Sequence, residues 1–151
     1  METKSGIAVE LFGKGFNCAQ AVFSSHSQDY GLDAVFAKKI AGAFGGGMAN
    51  NGEVCGAVTG ALMLIGLRYG QYREGDTESK EFTKKITNDF IQKFKVEFGT
   101  VICRDLLKYD LSIEEQAQKA RESGVFKTLC PLFVKRSVEL VEEILGPGPL
   151  L

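Results

Sequence analysis

The sequence predicts an all-α protein, a compact single-domain bundle of six to eight helices. Apolar residues recur three or four positions apart along most of the chain, as on the buried face of a helix, and nowhere alternate convincingly as in a strand. Residues that favour helix starts and ends flank these segments. The length of 151 residues is close to the commonest size of a domain. We therefore expect one core over residues 1–151, with an irregular tail over residues 146–151.

The first third of the chain contains three short helical segments. A first helix is predicted around residues 7–12 and is broken by two glycines that follow it. Asn17 is a good N-cap for a second helix, over residues 18–28, because its side chain can accept a hydrogen bond from the first turn. Asp33 is placed to cap a third helix over residues 34–40 in the same way.

A glycine-rich stretch over residues 45–52 is the least ordinary segment, with the sequence Gly-Gly-Gly-Met-Ala-Asn-Asn-Gly. It predicts a loop, since glycine loses the most backbone entropy in a helix. A helix follows over residues 53–69. Gly56 and Gly60 lie four residues apart on one of its faces, where small residues let another backbone approach closely. We expect this glycine-containing helix to be buried at the centre of the bundle.

The second half of the chain predicts four more helices. A long amphipathic helix over residues 77–98 carries an apolar residue at every fourth position along one stripe. A short helix is expected over residues 101–108. Ser112 and Glu115 have the spacing of a capping box, which predicts the start of the next helix. The last helix is expected over residues 131–145, because proline is favoured at a first helical position.

Charge and hydropathy exclude several classes of protein. A formal net charge of -1 gives no basic surface for nucleic acid and no attraction to an anionic membrane. The uncharged run over residues 54–67 is shorter than the roughly 20 residues of a membrane span, which favours a buried core helix. The N-terminus does not resemble a signal peptide, so a cytoplasmic location is expected. In a reducing compartment, cysteines more often bind metals or catalyse reactions than form structural disulfides.

The four cysteines are the leading candidates for chemistry: Cys18, Cys55, Cys103 and Cys130. They contain no Cys-x-x-Cys pair, which argues against thioredoxin-type and zinc-ribbon sites. Each one falls at a predicted helix start, where the helix dipole and free N–H groups lower the pKa of a thiol. A thiolate is both a nucleophile and a metal ligand, so this placement suits redox chemistry or coordination. Taken singly, each cysteine is equally compatible with a plain core residue.

Other candidate residues are weaker. The loop lacks the lysine of a phosphate-binding loop, because Glu53 follows Gly52 where that lysine is required. We expect the loop either to bring backbone N–H groups close to Cys55 or simply to connect two helices. Glu53 is a candidate proton acceptor or oxygen ligand, or only a favourable acid in a first helical turn. His26, the single histidine, is expected at the surface and is a weak candidate ligand or proton donor.

Residues 55–61, Cys-Gly-Ala-Val-Thr-Gly-Ala, resemble the signature of the C_GCAxxG_C_C family of redox-active proteins. The likeness extends to the Asn-Cys-Ala-Gln setting of the first cysteine, the glycine-rich loop and two downstream cysteines. It implies that the four cysteines are the family's four, and that Gly56, Ala57 and Gly60 belong to its core motif. The family's name places a glycine before the second cysteine, where this chain has Val54. The resemblance implies a redox role but no substrate.

Three hypotheses follow for the function. In the first, Cys55 attacks a disulfide or an oxidised partner, and Cys18 resolves the mixed disulfide, as in a thiol-dependent oxidoreductase. In the second, the four thiolates hold zinc or an iron–sulfur cluster, as in an electron carrier or a metal delivery protein. In the third, the chain is a helical interaction module with structural cysteines. The partner is an unidentified redox partner or thiol substrate, and the glycine-lined helix suits either a homodimer or intramolecular packing.

Overall fold

The computed structural model describes residues 2–146 and is built from helices. Eight α-helices have five residues or more, and a ninth is a single turn. Their bounds are α1 (Lys4–Gly13), α2 (Cys18–His26), α3 (Ala34–Ile40), α4 (Gly56–Tyr69), α5 (Thr77–Phe98), α6 (Cys103–Leu107), α7 (Glu114–Ser123), α8 (Val125–Thr128) and α9 (Cys130–Leu145). Within the described residues, extended pairing is limited to one antiparallel bridge between Val54 and Ile102. The all-α prediction is confirmed.

Two of the three helix caps predicted from the sequence are present in the structure. Asn17 caps α2 by accepting a hydrogen bond from the N–H of Gln20 at 2.8 Å, and the Gln20 side chain accepts one from the N–H of Asn17. Asp33 caps α3 as predicted. The capping box at Ser112 is wrong: its hydroxyl donates to Oδ1 of Asp110, and α7 begins without a side-chain cap. Ser112 also donates its backbone N–H to the same carboxylate oxygen, and the N-cap position of α7 is occupied by Ile113, one residue later than predicted.

Some helix boundaries differ from the sequence prediction by a few residues. The second helix ends at His26 and continues as a 3-10 turn over Ser27–Tyr30. The helix that follows the glycine-rich loop begins at Gly56 and not near residue 53, so that Cys55 is its N-cap. The last helix begins at Cys130, with a proline in its first turn.

Close contact between α2 and α4 lies at the centre of the molecule. A Cβ atom added at Gly60 would lie 2.8 Å from the backbone oxygen of Ala19 and 3.0 Å from Cβ of Val22. A Cβ added at Gly56 would lie 3.0 Å from the backbone nitrogen of Ala19. The two glycines therefore let the backbones touch, and Val58, which lies between them in the sequence, is fully buried. The predicted central, glycine-containing helix is confirmed.

Aromatic packing joins the long helix α5 to α9. The ring of Phe98 lies 4.8 Å from that of Phe94 and 5.0 Å from that of Phe133, measured between centroids. Phe94 is fully buried and Phe133 nearly so. This cluster closes the core on the side where α9 begins, and it fixes the position of the first turn of α9.

The uncharged run found in the sequence lies within α4, whose apolar side chains form the core. Across residues 2–146, every helix is too short or too polar to cross a membrane. The irregular tail predicted over residues 146–151 lies outside the described residues, apart from Gly146.

Gly60 and Gly66 of α4 have opposite surroundings, so substituting each by alanine tests the contact between α2 and α4. Gly60→Ala is expected to lower the free energy of unfolding by about 1–3 kcal/mol, because its methyl group would collide with the backbone of α2. Gly66→Ala is the matched control: a Cβ there meets nothing within 4 Å, so removing a helical glycine should raise stability by up to about 1 kcal/mol. Urea unfolding of both variants measures the difference. Equal effects would contradict the role of Gly60.

Candidate functional site

All four cysteines lie at helix starts, as the sequence predicts. Cys18, Cys103 and Cys130 are the first residues of α2, α6 and α9, and Cys55 is the N-cap of α4. All four are free thiols, and all four are buried. Four separate segments of the chain therefore direct the same end of a helix toward one region.

Backbone pairing brings Cys55 and Cys103 together. The N–H of Cys55 donates to the carbonyl of Val101 at 2.8 Å, and the N–H of Cys103 donates to the carbonyl of Glu53 at 2.6 Å. These bonds flank the isolated antiparallel bridge and align the segments that precede α4 and α6. Such a short pairing leaves no alternating pattern in the sequence, and sequence reasoning missed it.

The contact between α2 and α4 brings Cys18 to the same place. A Cβ atom added at Gly56 would lie 3.1 Å from Cβ of Cys18, so Cys18 packs directly against the residue that follows Cys55. Cys18 and Cys130 also interact with each other, since each thiol shifts the pKa of the other. Cys18 is therefore in contact with α4 on one side and with the start of α9 on the other.

One cavity of about 160 Å³ is lined by all four cysteines. The exposed fraction of each cysteine is at most 9%. Among the described residues that line the cavity, none carries a charge. The other lining residues are Phe12, Asn17, Gly46, Gly47, Asn50, Gly56, Leu106, Leu107, Leu111, Phe126 and Phe133.

The glycine-rich loop forms one wall of this cavity in an unusual conformation. Residues 46–50 all have positive φ, including three that are not glycine. The N–H groups of residues 48–53 donate to carbonyls of residues 43–48, so the loop satisfies its own donors. A Cβ added at Gly47 would lie 2.7 Å from Cβ of Cys103. The loop thus packs against Cys103, and the N–H groups that bond to the Cys55 thiol belong to Ala57 and Val58 at the start of α4.

Burial determines the pKa of two of the thiols. It raises the pKa of Cys55 to about 11, although the N–H groups of Ala57 and Val58 at the start of α4 bond to this thiol and lower it. Burial and, to a smaller extent, negative charge on Cys55 raise the pKa of Cys103 to about 12. The helix starts act in the predicted direction at Cys55, but removal from water outweighs them. The prediction of low pKa values is wrong for these two cysteines.

The pair of Cys18 and Cys130 behaves differently. The pKa of Cys130 lies below its ordinary value because the thiol of Cys18 donates a hydrogen bond to it, which outweighs burial. The same hydrogen bond, followed by burial, holds the pKa of Cys18 well above its ordinary value. Cys130 is therefore the first of the four thiols to ionise, and Cys18 is a protonated thiol in direct contact with it.

Glu53 and Gly52 support the site and do not line the cavity. The Glu53 carboxylate is half exposed and lies 3.5 Å from Nη1 of Arg104. The carbonyl of Gly52 accepts hydrogen bonds from the backbone N–H and from Nη1 of Arg104, at 3.2 and 3.1 Å. These contacts tie the end of the loop to the start of α6. The proton-acceptor role considered for Glu53 has no geometric support.

His26 is buried, and the expectation of a surface position is wrong. Its Nδ1 lies 2.9 Å from Oγ of Ser25, and its Nε2 lies 3.1 Å from Oε1 of Glu142 on α9. Burial lowers the pKa of His26 and raises that of Glu142, so both groups are held toward their neutral forms. The reason for its burial is that α2 packs against α1, α4 and α9. His26 does not line the cysteine cavity.

Two asparagines at the cavity were not among the sequence candidates. Asn17 lines it while also donating from Nδ2 to the carbonyl of Gly42 at 3.2 Å, which ties α2 to the segment before the loop. Its position directly before Cys18 in the sequence could have identified it as a candidate site residue. Asn50 lines it from the loop. Asparagine adopts positive φ more readily than most residues, which fits its place there.

The cavity is not a preformed site for a single metal ion. Between residues 2 and 146, no group of three or more His, Cys, Asp or Glu side chains is close enough to hold one. The four thiols share a cavity without converging on one point.

Comparison with known proteins gives one match. The family model described as "Putative redox-active protein (C_GCAxxG_C_C)" matches residues 16–144. This range includes all four cysteines and the glycine-rich loop. No curated protein and no solved structure matches the chain.

The hydrogen bond between two thiols predicts a shift in the ionisation of Cys130. In the unaltered protein, half-ionisation of Cys130 is expected below pH 9.0, the ordinary value for a cysteine. Cys18→Ala removes the donor and leaves burial, so the pKa of Cys130 should rise above that value. The rate of iodoacetamide labelling of the Cys130 peptide, followed against pH, measures it.

The control is Cys55→Ala, since burial and the Cys18 thiol are the causes that act on Cys130. Its labelling profile should match that of the unaltered protein. An unchanged profile in Cys18→Ala would contradict the thiol hydrogen bond.

Proposed function

Since the chain belongs to the C_GCAxxG_C_C family, we propose that it is a thiol-dependent oxidoreductase in which Cys130 and Cys18 alternate between dithiol and disulfide. The observation that carries the proposal is the single cavity that all four cysteines line, in which Cys18 and Cys130 lie at the starts of α2 and α9 and shift each other's pKa. One thiol ionises readily and the other stays protonated beside it. That is the arrangement needed by a nucleophile and its resolving partner.

In the first step, the thiolate of Cys130 attacks one sulfur of a disulfide, RS–SR′. A bond forms between Cys130 and that sulfur while the S–S bond of the substrate breaks, and R′S⁻ leaves. The product is a mixed disulfide between Cys130 and RS. Cys18 is neither oxidised nor reduced in this step. Its thiol keeps its proton until the negative charge on Cys130 has been lost.

In the second step, Cys18 loses its proton and attacks the sulfur of Cys130. A bond forms between the two cysteine sulfurs, the mixed disulfide breaks, and RS⁻ leaves and takes up the proton. In total, the substrate disulfide gains two electrons and is reduced to two thiols, while Cys18 and Cys130 are oxidised to one disulfide. Exchange with an external dithiol runs the same steps backwards and restores the protein.

This mechanism keeps Cys18 in the resolving role expected from sequence and replaces Cys55 as the nucleophile. A thiol whose pKa lies near 11 is almost wholly protonated at neutral pH, and the thiolate is the reactive form. Cys130 has the lower pKa and the direct contact with Cys18. Both differences favour Cys130.

A second candidate function is a zinc or iron–sulfur centre bound by the same four thiols. Its support is that four soft ligands line a single cavity. It requires the side chains to move closer to one another for a single ion, since the described residues hold no group of three within reach of one. The two candidates differ in metal content and in thiol reactivity.

Oxidation products test the dithiol proposal directly. Treatment of the reduced protein with a small disulfide should link the peptides of Cys18 and Cys130, as read by mass spectrometry after digestion. Cys18→Ala should stop at the mixed disulfide on Cys130, and Cys130→Ser should react about tenfold more slowly or worse at neutral pH, since a pKa higher by one unit lowers the thiolate fraction about tenfold. Cys103→Ala is the control and should still form the link. A link between Cys55 and Cys103, with the other two thiols free, would refute the assignment.

Metal content separates the two candidates. Protein purified without oxygen should contain four titratable thiols and far less than one metal ion per chain, and chelation should leave its thermal unfolding unchanged. Near-stoichiometric zinc, or iron with visible absorption bands, would instead support the metal centre. Structural metal binding adds to folding free energy, so the midpoint of unfolding should then fall on chelation.

A further inference from the structure

The surroundings of the thiols restrict what can reach them. Each cysteine has at most 9% of its surface exposed, and the thiols face the cavity and not the outer surface. A disulfide on the surface of another protein would have to enter this cavity to place its sulfur against Cys130. A protein disulfide is attached to polypeptide backbone, which is bulky compared with a space of this size.

The size of the cavity favours a small ligand. Its volume of about 160 Å³ is close to that of an engineered apolar protein cavity of about 150 Å³ that binds benzene. A molecule the size of glutathione disulfide is several times larger than benzene. The cavity therefore suits a compact molecule built on a single S–S bond with short substituents.

The lining of the cavity adds a limit on charge. Apart from the thiols, it consists of large apolar side chains, glycine backbone and two asparagine amides. In the described part of the chain, no Lys, Arg, His, Asp or Glu side chain lines it, so an anionic ligand would find no cation to pair with and would be repelled by the Cys130 thiolate. Moving an unpaired ammonium or carboxylate group from water into such a site is far more costly than moving a hydroxyl group.

From these limits we infer that the disulfide reduced in this cavity is a small uncharged one, made from short alkyl or hydroxyalkyl thiols. The inference rests on the proposed function and names its substrate class. The chemical step is the one given above, with R and R′ short and neutral. Protein disulfides, because of their size, and the disulfide of glutathione, because of its size and charge, are expected to react much more slowly.

The test uses two disulfides of similar size that differ in charge. Bis(2-hydroxyethyl) disulfide is neutral, and dithiodiacetate has a carboxylate in place of each CH2OH group. Their rates of reaction with the native protein are compared with their rates on the same chain unfolded in urea, which corrects for intrinsic reactivity. The ratio of the neutral rate to the anionic rate should be at least about tenfold higher in the native protein. Peptide mapping must show the Cys18–Cys130 link as the product.

The outcomes separate the inference from the proposed function. An equal ratio in native and unfolded protein, with the Cys18–Cys130 link formed, would overturn the substrate class and leave the dithiol mechanism standing. Failure of both reagents to produce that link would overturn the mechanism and the inference with it. Fast reaction of glutathione disulfide with the native protein would also overturn the substrate class.

A charge placed in the cavity wall provides a second measurement. Leu111 lines the cavity from the segment between α6 and α7 and is only partly buried, so it tolerates a polar substitution better than the core does. Leu111→Lys should lower the ratio severalfold by attracting dithiodiacetate, while Leu111→Gln is polar without the charge and should keep the ratio high. Thermal unfolding confirms that both variants are folded. An unchanged ratio in Leu111→Lys would count against selection by charge.

Discussion

The cysteine cavity depends on the direct backbone contact between α2 and α4. Gly60 costs about 1 kcal/mol in a helix interior relative to alanine, and the close contacts of Gly56 and Gly60 with Ala19 explain why both glycines are there. With a methyl group at either position, the two helices would have to separate, and Cys18 would move away from Cys55. The position of Cys18 relative to Cys55 is thus set by contact between two backbones and depends little on side-chain rotamers.

Backbone contacts also position Cys103, on the other side of the cavity. Backbone hydrogen bonds, and not side chains, align the segment before Cys55 with the segment before Cys103. The glycine-rich loop then packs its backbone against Cys103 at Gly47. Only Cys130 is positioned mainly by side-chain packing, through the aromatic cluster that joins α5 to α9. It is also the thiol whose pKa is lowered.

Local signals predicted most of the fold and less of the site. Asn17 and Asp33 cap helices because each bond forms within a few residues of the cap. The bridge between Val54 and Ile102 joins distant residues through a single pair, so no periodic pattern announces it. Gly60 and Gly66 look alike in sequence, yet one touches another backbone and the other faces open space. Tertiary packing alone distinguishes such pairs.

The pKa values also required the tertiary structure, because two opposing effects act at every helix start. Free N–H groups favour a thiolate there, and burial opposes it. At Cys55 burial is the larger effect. At Cys130 a neighbouring thiol adds a donor and reverses the balance. Which effect is larger depends on depth and on neighbours, and neither can be read from the position of a helix boundary.

Mutual repulsion limits how many of these thiols can ionise together. Negative charge on Cys55, Cys103 or Cys130 raises the pKa of Cys18, and the uncharged lining supplies no cation to compensate within the described residues. One thiolate with protonated neighbours is therefore the favoured state of the four thiols by themselves. Four simultaneous thiolates would need a bound cation to balance them. Thiol–disulfide exchange needs only one thiolate at a time, since each attack removes one negative charge from the protein before the next thiol ionises.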